Sequence, residues 1–434
     1  MAGKLQRSVA LGALAGVALF GGAASAQTTD SAPPMDLPTA IQSGTPIFEV
    51  RTRYESANQF GWADAESLTV RTRLGWQTAK WNNLVGLIEF EDVRQLGGGD
   101  FNDGIPPTEM SGATQFANIF DPDVTELNRL QLVWTPNEWL TATVGRQRIN
   151  LDDQRFIGGV GWRQDEQTFD ALRFDADFGR FDVTYAYIGH VNRIFAEDLD
   201  YGSESHVLNA SYTVADPLKV QGFIYALDFE DDITTGTLAV TAENSSNFTY
   251  GARLNGNAWL GRFRLNYAAT YATQTDYGHN QFNYQADYFG AEGTATLGPT
   301  SLRLAYESLE GEGANRRFIT PLATLHAFQG WSDAFVANGV KTPNDGINDA
   351  NVSVIVNPRF RRDHLFNINL TARYHDFEFE RTGIDIGSEW DLSAGANITR
   401  RTTWLIKYAD FDAETDSATT RSTSKVWLGL EFRL

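Results

Sequence analysis

The chain has 434 residues, no cysteine and a formal net charge of −20. Without cysteine no disulfide braces the fold, and so acidic a chain is a poor partner for nucleic acid. Past the N-terminus no apolar run approaches the ~20 residues of a membrane-spanning helix; strands, each short and only half apolar, remain as a means of crossing a bilayer.

Residues 1–26 carry Lys4 and Arg7, a short apolar run Val9–Phe20, and small residues at Ala24-Ser25-Ala26. That order is a secretory signal peptide, cut before Gln27. Residues 27–46 are rich in Pro, Ser and Thr without periodicity and are expected to form a flexible periplasmic lead-in. One domain, 47–434, follows.

From there alternation with a period of two runs through nearly the whole chain, the mark of strands with two unlike faces. Phe48, Val50, Thr52 and Tyr54 alternate with Glu49, Arg51, Arg53 and Glu55. Leu68, Val70, Thr72, Leu74 and Trp76 alternate with Thr69, Arg71 and Arg73. Leu172, Phe174 and Ala176 alternate with Arg173, Asp175 and Asp177, and Val426, Leu428, Leu430 and Phe432 alternate with Lys425, Glu431 and Arg433. There are about eighteen such segments, each near the ~9–11 residues a tilted strand needs to span a bilayer.

Connections alternate between short (Pro136–Trp139, Gly179-Arg180, Gly261-Arg262, Gly298-Pro299) and long (95–125, 152–166, 229–247, 310–346). Sorting by length distinguishes a membrane barrel from a sandwich, whose strands also alternate. Aromatic residues such as Trp76, Trp134, Phe178, Phe181, Trp259 and Phe263 stand at segment ends on the apolar face, as interfacial girdles require. The expected fold is therefore all-β: a transmembrane antiparallel β-barrel, monomeric, in a Gram-negative outer membrane. It would be surrounded by lipid and lipopolysaccharide and inserted by the barrel-assembly machinery. The last segment, Lys425–Leu434, resembles the C-terminal strand by which such barrels are recognised for insertion.

With the apolar face toward lipid, the alternate set lines the lumen. That set is rich in arginine: Arg51, Arg53, Arg71, Arg73, Arg129, Arg173, Arg253, Arg264, Arg303 and Arg373, with Glu49, Glu89, Glu91, Asp175 and Glu307 among them. Cationic rings in a low-dielectric wall select anions. The rows Arg51/Arg53 and Arg71/Arg73 need acids, or a polyanion, between them.

The densest mixture of charge beside strand-like sequence is Thr143–Phe174. Here Arg146 interrupts the apolar alternation, and a bulge near Gly145 is expected to turn Arg146 and Arg148 inward. The following turn, Leu151–Glu166, would then fold toward the pore and place Asp152, Asp153, Arg155, Arg163 and Glu166 there.

The segment GRQRINLDDQRFIGGVGWRQDEQTFDALRF (145–174) resembles the most characteristic stretch of the alginate-export family of outer-membrane porins. Phe318–Phe335 is similar to that family's long extracellular segment, and Tyr374–Phe377, Gly387–Leu392 and Lys407–Asp412 are similar to its last strands. The resemblance implies an eighteen-stranded barrel with an electropositive constriction near Arg146, Arg148, Asp152, Asp153, Arg155, Arg163 and Glu166. It also implies passage of an anionic polysaccharide or related acidic solutes. An export channel would use periplasmic partners; a small-anion or sugar-acid uptake porin would not.

Catalysis finds little support. Of the six histidines, only His190 and His375 read as inward-facing, and neither has a nucleophile in a recognisable motif, as a barrel hydrolase would need. No cofactor is expected. Gly97–Asp103 and Asn344–Asp349 have the oxygen-rich look of calcium loops but depart from the EF-hand pattern, and both read as ordinary loops.

Overall fold

The computed structural model describes residues 36–104, 115–195, 199–230, 242–313, 315–336, 340–358, 366–417 and 419–434. The signal peptide and the first part of the lead-in lie outside the described residues. The strands are β1 (Thr45–Gln59), β2 (Ala65–Gln77), β3 (Leu84–Asp100), β4 (Val124–Asn137), β5 (Leu140–Gln147), β6 (Thr168–Asp177), β7 (Phe181–Asn192), β8 (Tyr201–Ala215), β9 (Leu218–Leu227), β10 (Phe229–Glu230), β11 (Asn247–Leu260), β12 (Phe263–Asp276), β13 (Gln285–Leu297), β14 (Thr300–Leu309), β15 (Ile347–Val356), β16 (Phe366–Glu378), β17 (Asp385–Asn397), β18 (Thr402–Ala413) and β19 (Thr423–Arg433). The two-residue β10 pairs with β8 beyond the end of β9, so the wall has eighteen staves. Each stave pairs antiparallel with its neighbour in the chain, and β19 closes onto β1 from Glu49↔Arg433 to Gln59↔Thr423. Closure removes the free edges that a sheet cannot leave unpaired in lipid.

Alternation sets the two faces as the sequence reading requires. Leu74, Leu130, Val144, Leu172, Leu254, Leu304 and Leu428 are exposed on the outside, while Arg51, Arg71, Glu91, Arg253 and Arg373 are buried inside. Near the short-turn end Trp139 stacks on Phe178 at 5.5 Å, beside Phe181, and all three are exposed in the manner of an interfacial girdle. Sorting of the connections is less strict than the sequence implied. At the long-loop end the connections 60–64 and 379–384 are brief, and at the opposite end the connection 357–365 is longer than either.

Two expectations need correction. The lead-in is not irregular throughout: Leu37–Gln42 form helix α1, whose N-cap Asp36 accepts from Thr39 N–H, and the indole of Trp76 donates to Ile41 O at 2.8 Å. Pro38 sits in the first turn, where its missing N–H has no intrahelical partner to lose. The second correction concerns Phe318–Phe335, read as an extracellular segment. Within the long loop 310–346 it folds back into the barrel, where Phe318, Leu322, Trp331 and Phe335 are buried.

That inward turn has a hydrophobic cause. Ile149, Leu151 and Ile157 of the loop between β5 and β6 join Phe318, Leu322 and Phe335 of the long loop. Together they pack on inward residues of the wall, Phe169, Ile188, Phe223, Tyr225, Phe377 and Phe411. Burial of each such side chain is worth ~1.5–3 kcal/mol, enough to hold two loops as a packed inner layer. The lumen is therefore polar only in part, which strand alternation alone cannot foretell.

Candidate functional site: the lumen and its inner loop

The inner loop, residues 148–167, leaves β5 at Gln147 and crosses the barrel to its first wall strands. β5 is only eight residues long, so β4 stops pairing with it at Leu130↔Arg146. The bulge expected near Gly145 is instead one strand away. The β3–β4 register shifts after Glu89↔Arg129, leaving Asn128 unpaired in the ladder. Gly145 keeps its register but has φ +107, and a Cβ there would collide with Leu130 O. It supplies the twist without an added residue.

This changes the placement of Arg146. It shares the outward alternation of Val144 and Leu172, opposite Leu130 and Asp170. Its guanidinium pairs bidentately with Asp170 (2.8 and 3.1 Å) and donates to Leu127 O, across the notch where β5 ends. Arg148 lies past the end of the strand and does point inward, donating to Glu166 at 2.6 Å and approaching Glu89 at 3.5 Å.

The paired rows of arginine are held by this loop. Arg51 and Arg71 face each other across β1 and β2, an arrangement that repels unless other groups intervene. Arg51 donates to Gln164 Oε1 (2.9 Å), Gly161 O (3.0 Å) and Arg163 O. Arg53 donates to Trp162 O and pairs with Asp121. Arg71 pairs with Glu49 and donates to Gln164 O, while Arg73 pairs with Glu91 and with Glu166 (3.2 Å). All four side chains are buried. They anchor the loop, and water does not reach them as a track.

Arg163 reaches back from the loop to Glu55 (3.0 Å) and to Asp333 of the long loop (3.2 Å). Burial opposes its charge, but Glu55, Asp121 and Asp333 raise its pKa and keep it ionised. Arg155 pairs with Glu307 on β14 and donates to Thr320. Asp152 accepts from Asn209 and Gln221, and Asp153 from Arg253 at 2.7 Å. The inner loop is thus tied to opposite sides of the barrel.

Groups that the sequence reading did not single out complete the junction of the two loops. His326 donates from Nδ1 to Asp333 at 2.8 Å and accepts at Nε2 from Lys407 at 2.6 Å, while its ring stacks on Trp162 at 4.5 Å. Lys407 lies over the rings of Trp331 and Trp162 at 3.8 and 3.9 Å, a desolvated cation–π site. Burial and Lys407 together hold the His326 pKa well below its ordinary value. Trp162, Gln164 and Trp331 had no sequence signal beyond their place in charged or aromatic loops.

The ion pairs lining the lumen differ in which partner meets water. In Arg129–Glu89 the side chains are 15% and 1% exposed, in Arg148–Glu166 30% and 5%, and in Arg433–Glu431 37% and 5%. Elsewhere on the wall the order reverses, with Arg173–Asp175 of β6 at 22% and 34% and Arg253–Asp153 at 8% and 28%, while Arg303–Glu292 is nearly even at 20% and 17%. Guanidinium groups are the more exposed partners at β4, at the start of the inner loop and at β19. A small cleft lies against Arg253, Glu292, Arg303, Asp349, Arg373 and the long-loop tip at Phe328–Gln329.

Among the described residues no histidine bonds to a serine or threonine hydroxyl. His375 lies between Asp349 (2.7 Å) and Asp391 (3.4 Å). His190 is not inward: the β6–β7 register skips Gly189, and His190 falls opposite Asp170 with Asp200 at 3.5 Å. His364 lies outside the described residues. The oxygen-rich segment Asn344–Asp349 is engaged by protein donors, Asn344 by Arg317, Asp345 by Arg381 and Asp349 by His375.

Comparison with known proteins agrees with this architecture. Among solved structures, Acinetobacter baumannii OccAB2 superposes with a TM-score of 0.68 at 11% identity, covering 91% of this chain and 99% of that one. A. baumannii OccAB4 gives 0.67 at 12% identity, with 90% and 98% covered. Pseudomonas aeruginosa OpdL gives 0.64 at 13% identity, with 91% and 99% covered. At such identities the likeness is one of fold. No curated protein matches the sequence. The sequence profile described as alginate export matches residues 47–304, more than half of the chain. With its closed barrel and charged lumen, the chain belongs to the alginate export family and is an outer-membrane channel rather than an enzyme.

Proposed function

We propose that the protein passes acidic saccharides or comparable organic anions by diffusion, guided along the side of the lumen where Arg129, Arg148 and Arg433 face water. The observation that carries this reading is the exposure order of the ion pairs: their carboxylates lie behind the guanidinium groups. An anion can exchange water for a bidentate contact with such an arginine. The buried arginines 51, 53, 71 and 73 act on the solute only through the loop they hold. Both the inner loop and the long loop narrow the path, which favours short chains or single sugar acids over a wide polymer route. Uptake and export use the same stripe, and periplasmic partners belong to the export case alone.

Planar-bilayer recording of the purified barrel under a salt gradient tests this. Wild type should favour chloride over potassium, Arg129→Ala and Arg148→Ala together should lower that preference, and oligouronates should block where neutral oligosaccharides do not. A cation-selective wild-type channel overturns the reading.

A further inference from the structure

Asp165 sits between two tightly held neighbours. Gln164 is fixed by Arg51 and Thr69, and Glu166 by Arg148 and Asn128. Asp165 itself is fully buried, and neither carboxylate oxygen meets a hydrogen-bond donor. It points at Glu91 of β3 and Glu126 of β4, which face each other directly across the two strands. Ligand oxygens of these three carboxylates lie within 4.8 Å of one another. Oε1 of Glu91 and Oε1 of Glu126 also lack a donor. Arg73 engages only the other oxygen of Glu91. Three carboxylates turned together in a buried place, with four oxygens unmet, would expel one another unless a positive species stood among them.

We propose that Glu91, Glu126 and Asp165 bind a divalent cation of the calcium type, which clasps the inner loop to the β3–β4 wall. Hard carboxylate oxygens are the ligands such ions take, with Ca–O distances of ~2.3–2.6 Å against ~2.1 Å for Mg–O. Two Ca–O bonds can bridge oxygens anywhere within the 4.8 Å that encloses these three. Water would supply the remaining ligands. Asp165 is the loop's contribution, and Glu91 and Glu126 are the wall's, so bound cation and loop position are linked. Burial, with Glu126 and Glu91 nearby, pushes the Asp165 carboxyl well above its ordinary range, so a proton is the competing occupant.

Protein refolded from inclusion bodies, and therefore free of lipopolysaccharide and its own bound cations, is stripped with EDTA and titrated with CaCl2 in detergent at pH 7.5. Radiolabelled calcium is counted by flow dialysis and thermal unfolding is followed in parallel. The expected result is one calcium per chain and a higher Tm, with at least tenfold weaker binding in Glu126→Gln and Asp165→Asn. Asp345→Asn, in an exposed loop pair, should bind as wild type does. Heat-modifiable migration on gels shows that each variant is a folded barrel. Absence of stoichiometric binding, or equal binding by wild type and both site variants, overturns the proposal. So does a Tm that rises on acidification from pH 8 to 6 and ignores calcium, which assigns the place to a proton. MgCl2 matching CaCl2 in affinity overturns the calcium-type assignment.

Discussion

Arg51 and Arg71 are direct partners across β1 and β2, and both donate to the backbone of the same loop, Arg51 to Gly161 O at 3.0 Å and Arg71 to Gln164 O at 3.2 Å. The like-charged pair is therefore a clamp. Each guanidinium has its own acceptors, Arg51 at Gly161 O, Arg163 O and Gln164 Oε1, and Arg71 at Gln164 O and Glu49. Arg51→Ala should leave the acceptors at Gly161, Gln164 and Arg163 without their donor, at about 1–3 kcal/mol per buried group left unmet. The expected phenotype is a folded barrel with a loosened inner loop. Single-channel recordings should show greater open-channel noise, and limited proteolysis should cut within 148–167.

Gly330 tests the long loop. Its φ is +79, and a Cβ would run into the carboxylate of Glu389, which also accepts from Ser332 N at 2.8 Å. Gly330→Ala should lift the loop tip from β17 and raise conductance, with a left-handed backbone penalty of ~1–2 kcal/mol added. Gly383→Ala carries a similar φ of +64 with open space around it, so it should be strained without a change in conductance. Equal conductance changes in both variants would remove the contact from the explanation.

The junction at His326 gives a pH dependence. Its folded pKa is held well below the ordinary value by burial and by Lys407 on β18, with Arg163 of the inner loop acting in the same direction and Asp333 of the long loop opposing. A histidine neutral in the fold takes up a proton more readily when the junction opens. Its contribution is therefore complete above the unfolded pKa of about 6.5 and lost progressively as pH falls below it. Channel closures or noise linked to loop motion should increase below about pH 6.5, and His326→Asn should flatten that part of the profile.

The lipid face can be tested apart from the lumen. Leu304 is exposed on the outside of β14, and its neighbour Arg303 points inward to Glu292 at 2.7 Å. Leu304→Arg should destabilise the barrel by ~2–4 kcal/mol if the residue lies near the bilayer midplane. Reversible urea unfolding in lipid vesicles measures it, and a change below about 0.5 kcal/mol, the scatter of exposed surface substitutions, would place Leu304 outside the hydrocarbon layer.

Strand number, face assignment and the arginine-rich interior were legible from period-two alternation, because each residue's face in a strand follows from its parity. The charge cluster of residues 146–166 was visible too, as composition. Parity failed where the ladder slipped. Skipped Gly189 turned His190 away from the lumen, whereas Arg146 kept the outward parity of Val144 because the slip fell at Asn128 and left Gly145 in register. Bulges of this sort arise from pairing between strands and leave little trace in either strand alone.

By itself, then, the sequence determined a barrel, its lipid face and the residues available to its lumen, since burial on one side and lipid on the other impose a local rule at every second position. Only the tertiary structure decided which of those charges meet water. The burial of Arg51, Arg53, Arg71 and Arg73 against the inner loop, the exposure of Arg129 and Arg148, and the convergence of Asp165 on Glu91 and Glu126 all depend on where two loops pack inside the barrel. Contacts between residues far apart in sequence set that packing, and no local period encodes them.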